Sequence, residues 1–194
     1  SQCWVWRDDV LLNPGGLALA PSTTIGAGSD AFFLGDNSST GNNGVWQLDY
    51  LRLHPSAVGP DVELAADAYM GWTPDYAIRM IRMLEDAGLE LAWVEEPLIP
   101  DDHEGYARVK AEVRTPISGG EHEFTRYGFR QLIERRSVDI LQPDVNRCGG
   151  ITEARKIWAL AAAHDLPVVP HAGQMHNHHL VMAHLNSPLD RKST

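Results

Sequence analysis

Polar residues end a series of short apolar runs at a nearly regular interval along this chain, and this repeat constrains the fold more than any other feature. Each run has strand length and is followed by a segment with helical spacing. Alternating strands and helices form parallel sheets, and in a βα barrel the carboxyl ends of the strands meet at one mouth. A doubly wound sheet would instead place ligands at a single switch point. The repeat therefore predicts an α/β fold, a partial TIM-type (β/α) barrel, whose mouth holds Asp67, Glu95, Glu121, Asp144 and His171.

Local signals predict where individual elements begin and end. Thr73 is an expected N-cap with Pro74 at the first helical position, and Gly88 is an expected helix stop. A strand is predicted over Val138–Asp144, and Thr152 is the expected cap of the helix that follows.

The composition changes near residue 50. Residues 1–50 are rich in Gly, Ser and Asn and are predicted to be an irregular segment of unknown role, because so few apolar side chains cannot offset the entropy of ordering. Residues 51–194 are predicted to form the partial βα-barrel catalytic domain.

The charge balance restricts the partners. Sixteen Lys and Arg face 26 Asp and Glu, a net charge of −10, which argues against nucleic acid and anionic membranes. No apolar stretch has the length of a membrane span, no signal peptide is recognisable, and the two cysteines, Cys3 and Cys148, lie far apart. We expect a cytoplasmic protein.

Three of the polar residues at strand ends are acids. Asp67, Glu95 and Glu121 would bring three carboxylates together, and buried carboxylates repel one another unless a cation neutralises them. Oxygen ligands favour Mg²⁺, or Mn²⁺, over zinc. The alternative is that these acids are solvated loop residues or helix caps.

The other two residues form a carboxylate–imidazole pair. Asp144 beside His171 could orient the ring and raise its basicity, which suits proton transfer near neutral pH. The alternative is a structural histidine after Pro170.

Five motifs carry a family resemblance. They are Trp93–Pro97 (WVEEP), Gly120–Glu123 (GEHE), Leu141–Asp144 (LQPD), Cys148–Glu153 (CGGITE) and Val169–His171 (VPH). In this order they resemble the enolase superfamily, mandelate racemase subgroup, and are most similar to its rhamnonate dehydratase-like acid-sugar dehydratases.

The resemblance implies a role for each site residue. Asp67, Glu95 and Glu121 would be Mg²⁺ ligands, and Glu96, the second glutamate of Glu-Glu-Pro, would not. Asp144 and His171 would be the catalytic dyad. His122 would be a second active-site histidine.

The resemblance also implies the reaction. A small-molecule sugar acid (an aldonate) would lose its α-proton to His171, pass through an enolate and eliminate its β-hydroxyl, giving a 2-keto-3-deoxy acid. His171 is also a candidate for the acid that assists the leaving group. The resemblance is also compatible with assembly into a homo-oligomer.

Two departures from the family pattern motivate alternatives. Residues 1–50 do not resemble the N-terminal capping domain, so a barrel lacking that domain is expected, and Arg191 stands where the family has a glutamate. A non-catalytic truncated remnant and another reaction of the superfamily, such as racemisation, are therefore alternatives. A weaker one is a zinc hydrolase that uses the histidines at 176, 178 and 179.

Overall fold

The computed structural model describes residues 6–7, 10–11 and 63–188. Strands β1 (Trp6–Arg7) and β2 (Val10–Leu11) pair antiparallel, a pairing that the prediction of an irregular segment over residues 1–50 did not include. The rest of that segment, and Arg191, lie outside the described residues. None of the described helices combines the length and the apolar character that crossing a membrane requires.

The principal sheet has four parallel strands in the order β3-β4-β5-β6. A parallel bridge between Leu141 and Val168 adds a fifth position beside β6. One helix follows each strand, so the predicted alternation and the α/β class are confirmed. The strands are β3 (Leu64–Asp67), β4 (Leu91–Glu95), β5 (Ile117–Gly119) and β6 (Ile140–Leu141); the helices are α1 (Pro74–Asp86), α2 (His103–Glu112), α3 (Thr125–Glu134), α4 (Ile151–Ala162) and α5 (Met175–Ala183).

One face of this sheet supplies the hydrophobic core. Side chains alternate between the two faces of a strand, and Val94, Ile117 and Leu141, which share one face, are 0% exposed. Helix α1 adds buried residues at helical spacing, among them Ala77, Ile81 and Leu84. The core cluster also contains Ile117, Leu141, Val168, Phe129, Ile157 and Trp158.

The opposite face carries the polar side chains. Asp67 pairs in register with Glu95, and Glu95 pairs with Ser118, so all three point to the same side of the sheet. Gln142 lies on this side as well, because its amide donates to the Glu95 carboxylate. The register therefore brings the first two predicted metal ligands to one corner of the sheet.

Of two helix starts predicted from local signals, the one at a proline is confirmed and the one near a glycine is wrong. Helix α1 begins at Pro74 after the extended N-cap Thr73, as predicted. The prediction of Thr152 as a cap is wrong, since α4 begins at Ile151 after Gly150. Gly150 has a φ of 81°, a left-handed conformation that glycine adopts without strain and threonine does not.

The strand predicted over Val138–Asp144 is also shorter than expected. Its ladder is confined to Ile140–Leu141. Pro143 has no N–H to donate, so the regular ladder ends before it, although its carbonyl accepts from the N–H of His171 at 3.0 Å. Asp144 therefore lies beyond the regular strand, and its side chain contacts the βα loop that carries His171.

Candidate active site

The five polar residues predicted at strand ends lie along the carboxyl edge of the sheet. Asp67 and Glu95 are the last residues of β3 and β4. Glu121 follows β5, Asp144 follows β6, and His171 follows the bridge at Val168. Loops after the strands therefore carry the last three side chains beyond the ladder itself.

His171 connects two of these acids. Its Nδ1 lies 2.9 Å from Asp144 Oδ2, and its Nε2 lies 3.1 Å from Glu121 Oε2. An ionised carboxylate only accepts, so the ring nitrogen beside Asp144 carries the proton. The structure thus brings Asp144 and Glu121 to opposite nitrogens of the His171 ring, although the three residues come from three different loops.

Asp144 is held by both of its carboxylate oxygens. Oδ2 contacts His171, while Oδ1 accepts the backbone N–H groups of Asn146 at 2.8 Å and Arg147 at 3.1 Å. Burial alone would raise the pKa of this carboxyl, but the hydrogen bond from His171 and the two backbone donors outweigh it, and the pKa lies below its ordinary value. Asp144 is therefore an anion in a fixed orientation beside the imidazole.

Glycine at position 120 allows the turn that brings Glu121 to the carboxyl edge of the sheet. Gly120 has a φ of 119°, and a Cβ there would come within 2.9 Å of Phe129 Cε1. No larger residue fits this turn without displacing the phenylalanine. The chain can therefore leave β5 abruptly and direct Glu121 to the edge of the sheet.

Asn177 fixes the backbone after His171. The side chain of Asn177 is fully buried, and its Nδ2 donates to the carbonyl oxygens of His171 at 2.9 Å and Ala172 at 2.6 Å. Ala172 has a φ of 63°, which is strained for alanine and needs support from its surroundings. Sequence analysis did not single out Asn177, because its role depends on a contact with a loop that precedes its own helix.

Glu95 is buried and hydrogen-bonded within the sheet. It is 1% exposed, and its Oε2 accepts from Gln142 Nε2 at 3.0 Å and from Trp93 Nε1 at 3.4 Å. Asp67 Oδ1 accepts the backbone N–H of Tyr69 at 3.0 Å. These bonds orient the two carboxylates that the register places next to each other.

Glu96 is the residue that sequence reasoning set aside and the structure brings into the site. Its side chain is 3% exposed, and its Oε2 lies 2.9 Å from His122 Nδ1. The same nitrogen lies 3.7 Å from Glu121 Oε1. One ligand atom from each of Glu96, Glu121 and His122 falls within 4.8 Å of the others, a spacing that could hold a metal ion. The second glutamate of the Glu-Glu-Pro motif was the available signal.

The geometry thus divides the predicted site into two parts. Glu121 stands between His171 and His122, and Asp67 and Glu95 are paired in register on the neighbouring strands. The predicted ligand triad of Asp67, Glu95 and Glu121 shares only Glu121 with the three-residue group described above. The individual roles of these residues remain predictions. The histidines at 176, 178 and 179 lie in α5, and among the described residues they belong to no group with metal-ligand spacing.

The family of this chain follows from a comparison with family models. The model described as "Enolase C-terminal domain-like" matches residues 36–193. The chain belongs to this family. The resemblance found in the motifs is confirmed, and so is the α/β barrel-type fold that it implied.

Individual relatives of this enolase C-terminal domain-like chain include named dehydratases. The L-rhamnonate dehydratase of Saccharopolyspora erythraea is 46% identical over 143 residues, which cover 73% of this chain and 36% of that protein. The crystal structure of L-rhamnonate dehydratase from Gibberella zeae superposes with a TM-score of 0.66 at 44% identity, over 71% of this chain and 35% of that one. It has also been solved in complex with Mg.

A third relative is named for a different sugar acid. The L-talarate dehydratase from Polaromonas sp. JS666, solved in complex with Mg and L-glucarate, has a TM-score of 0.64 at 38% identity. The match covers 67% of this chain and 36% of that one. The chain therefore spans about a third of the length of these relatives.

Proposed function

We propose that this chain carries the proton-transfer and metal-binding residues of an Mg²⁺-dependent acid-sugar dehydratase. Such an enzyme removes the proton α to the carboxylate of an aldonate and expels the β-hydroxyl, giving a 2-keto-3-deoxy acid. The observation that carries the proposal is the pair of contacts made by His171, one to Asp144 and one to Glu121. The dehydratases among its relatives favour the same reaction class.

His171 is the proposed base. Nδ1 is protonated and bonded to Asp144. With Glu121 engaged by the Mg²⁺ ion proposed below, the other ring nitrogen, Nε2, would hold the lone pair that can accept a proton. When Nε2 takes up the α-proton, the fixed negative charge of Asp144 stabilises the resulting imidazolium. The low pKa of Asp144 keeps that charge in place across the neutral pH range.

Asp67, Glu95 and Glu121 are the proposed Mg²⁺ ligands. Their donors are all carboxylate oxygens, which Mg²⁺ prefers, and Mn²⁺ tolerates the same set. Two of them end neighbouring strands in register, and Glu95 is almost fully buried. A bound Mg²⁺ would neutralise the negative charge that develops on the substrate carboxylate as the α-proton leaves.

The α-carbon proton is the most direct reporter of this function. The purified chain would be incubated with Mg²⁺ and sugar acids, including L-rhamnonate, in D₂O, and both α-deuterium incorporation and keto-acid formation followed by NMR. We expect both signals to require Mg²⁺ and to be lost in His171→Asn. His164→Asn, the same change at an exposed histidine beyond α4, is the matched control and should behave as wild type.

The two signals separate the alternatives. Deuterium incorporation without keto-acid formation would favour racemisation over dehydration, because only elimination removes the β-hydroxyl. Exchange that persists in His171→Asn would remove His171 from the role of base. Absence of both signals over the whole panel, with Mg²⁺ bound, would indicate the non-catalytic alternative.

A further inference from the structure

The active edge holds a second carboxylate–imidazole pair besides Asp144 and His171. Glu96 Oε2 lies 2.9 Å from His122 Nδ1, the same separation that joins Asp144 Oδ2 to His171 Nδ1. Both histidines also approach Glu121, one at each of its carboxylate oxygens. Glu121 is therefore flanked by two imidazoles, and each imidazole contacts its own acid through Nδ1.

The backbone of Glu96 is hydrogen-bonded to strand β5 and to the loop after β3. Its N–H donates to the carbonyl of Ser118 at 3.0 Å, and its carbonyl accepts from the N–H of Met70 at 2.6 Å. Its φ is 38°, in the left-handed region that is unfavourable for a residue with a Cβ. A strained backbone fixed from both sides holds the buried carboxylate in one place.

We propose that Glu96 is a positioning residue for His122. Its carboxylate accepts the Nδ1 proton and so fixes the tautomer of the neutral ring, which leaves Nε2 as the nitrogen that exchanges a proton with the substrate. The inference rests on the proposed function for the identity of the substrate, a sugar acid. The tautomer itself can be measured without a substrate, and the nearest group to Nδ1 is the Glu96 carboxylate at 2.9 Å, against 3.7 Å for Glu121.

The tautomer of His122 tests this inference without substrate or turnover. ¹⁵N NMR distinguishes a protonated ring nitrogen from an unprotonated one, at a pH well above the ordinary histidine pKa of about 6.5. Signals of His122 are assigned by their loss in His122→Asn. We expect the Nδ1–H form to dominate in the metal-free wild-type chain. A dominant Nε2–H form would overturn the proposal, whatever the variants do.

The Glu96→Gln variant provides the second measurement. An amide can donate to Nδ1 as well as accept from it, so the preference for Nδ1–H should be lost. Glu123→Gln is the matched control, because Glu123 Oε1 makes a similar 2.8 Å contact with His103 Nε2. It should change the tautomer of His103 and leave His122 as in wild type. An unchanged His122 tautomer in a folded Glu96→Gln chain would refute the role of Glu96.

These outcomes are independent of those for the proposed function. A chain that shows the Nδ1–H tautomer but never exchanges the α-proton would keep the positioning role and lose the dehydratase. A chain that exchanges the α-proton but holds His122 as the Nε2–H form would keep the dehydratase and lose the positioning role.

Discussion

At the scale of single residues, the site depends on side chains that hold other side chains. Asp144 and His171 could be predicted because each follows an apolar run and the motifs around them are specific. The contacts of Glu96 and Asn177 could not be predicted, since they reach across 26 residues in one case and back to the preceding loop in the other. Sequence patterns report periodicity and local turns, and neither of them records which distant group a buried polar side chain will meet.

Asn177 gives a prediction at this scale. Asn177→Ala removes both donors from the carbonyls of His171 and Ala172, which leaves two carbonyl groups without those bonds. We expect the free energy of unfolding to fall by about 2 kcal/mol, measured by urea denaturation. Asn146→Ala, at an exposed position, is the control and should change it by less than about 0.5 kcal/mol. Equal effects of the two substitutions would contradict the assigned role of Asn177.

At the scale of elements, ionic contacts connect helices that are neighbours around the sheet. Glu153 in the first turn of α4 accepts the backbone N–H of Arg126 at 3.0 Å and its guanidinium at 2.7 Å, which ties α4 to the start of α3. Lys156 adds a third donor at 3.0 Å. The backbone hydrogen bond from Arg126, followed by the bond from Lys156, lowers the pKa of Glu153 from 4.5 to about 2.

This shift predicts a pH dependence of stability. A carboxyl whose pKa is lower in the folded state stabilises the fold fully above its unfolded pKa, here 4.5, and this contribution is lost as the pH falls toward about 2. We therefore expect wild type to be more stable than Glu153→Gln near neutral pH, with the difference narrowing between pH 4.5 and 2. Denaturant midpoints measured across that range check this. Parallel curves for the two chains would contradict it.

The strands and helices themselves were largely predictable, and their ends were less so. Thr73 and Pro74 mark the start of α1 by local chemistry, and the structure agrees. The start of α4 and the end of β6 depend on what glycine and proline permit in the folded chain. Gly150 adopts a left-handed conformation, and Pro143 has no N–H for the ladder. The two wrongly predicted boundaries, the end of β6 and the start of α4, enclose the irregular segment that contains Asp144.

At the scale of the whole molecule, the parallel sheet converts a repeat in the sequence into a cluster in space. Residues separated by a complete βα unit become neighbours at one edge, as the register between Asp67 and Glu95 shows directly. The family match and the relatives agree with the barrel-type fold. The matched region covers about a third of the length of those relatives.

The proposed Mg²⁺ site lies at this edge, beside the Asp144–His171 pair. Its most direct test is the thermal midpoint of unfolding with increasing Mg²⁺, since an ion that binds only the folded state must raise it. We expect a rise in wild type, a similar rise in Asp144→Asn, and none in Glu121→Gln. Glu134→Gln, at the far end of α3, is the matched control and should respond as wild type. An equal rise in wild type and Glu121→Gln would contradict the claim.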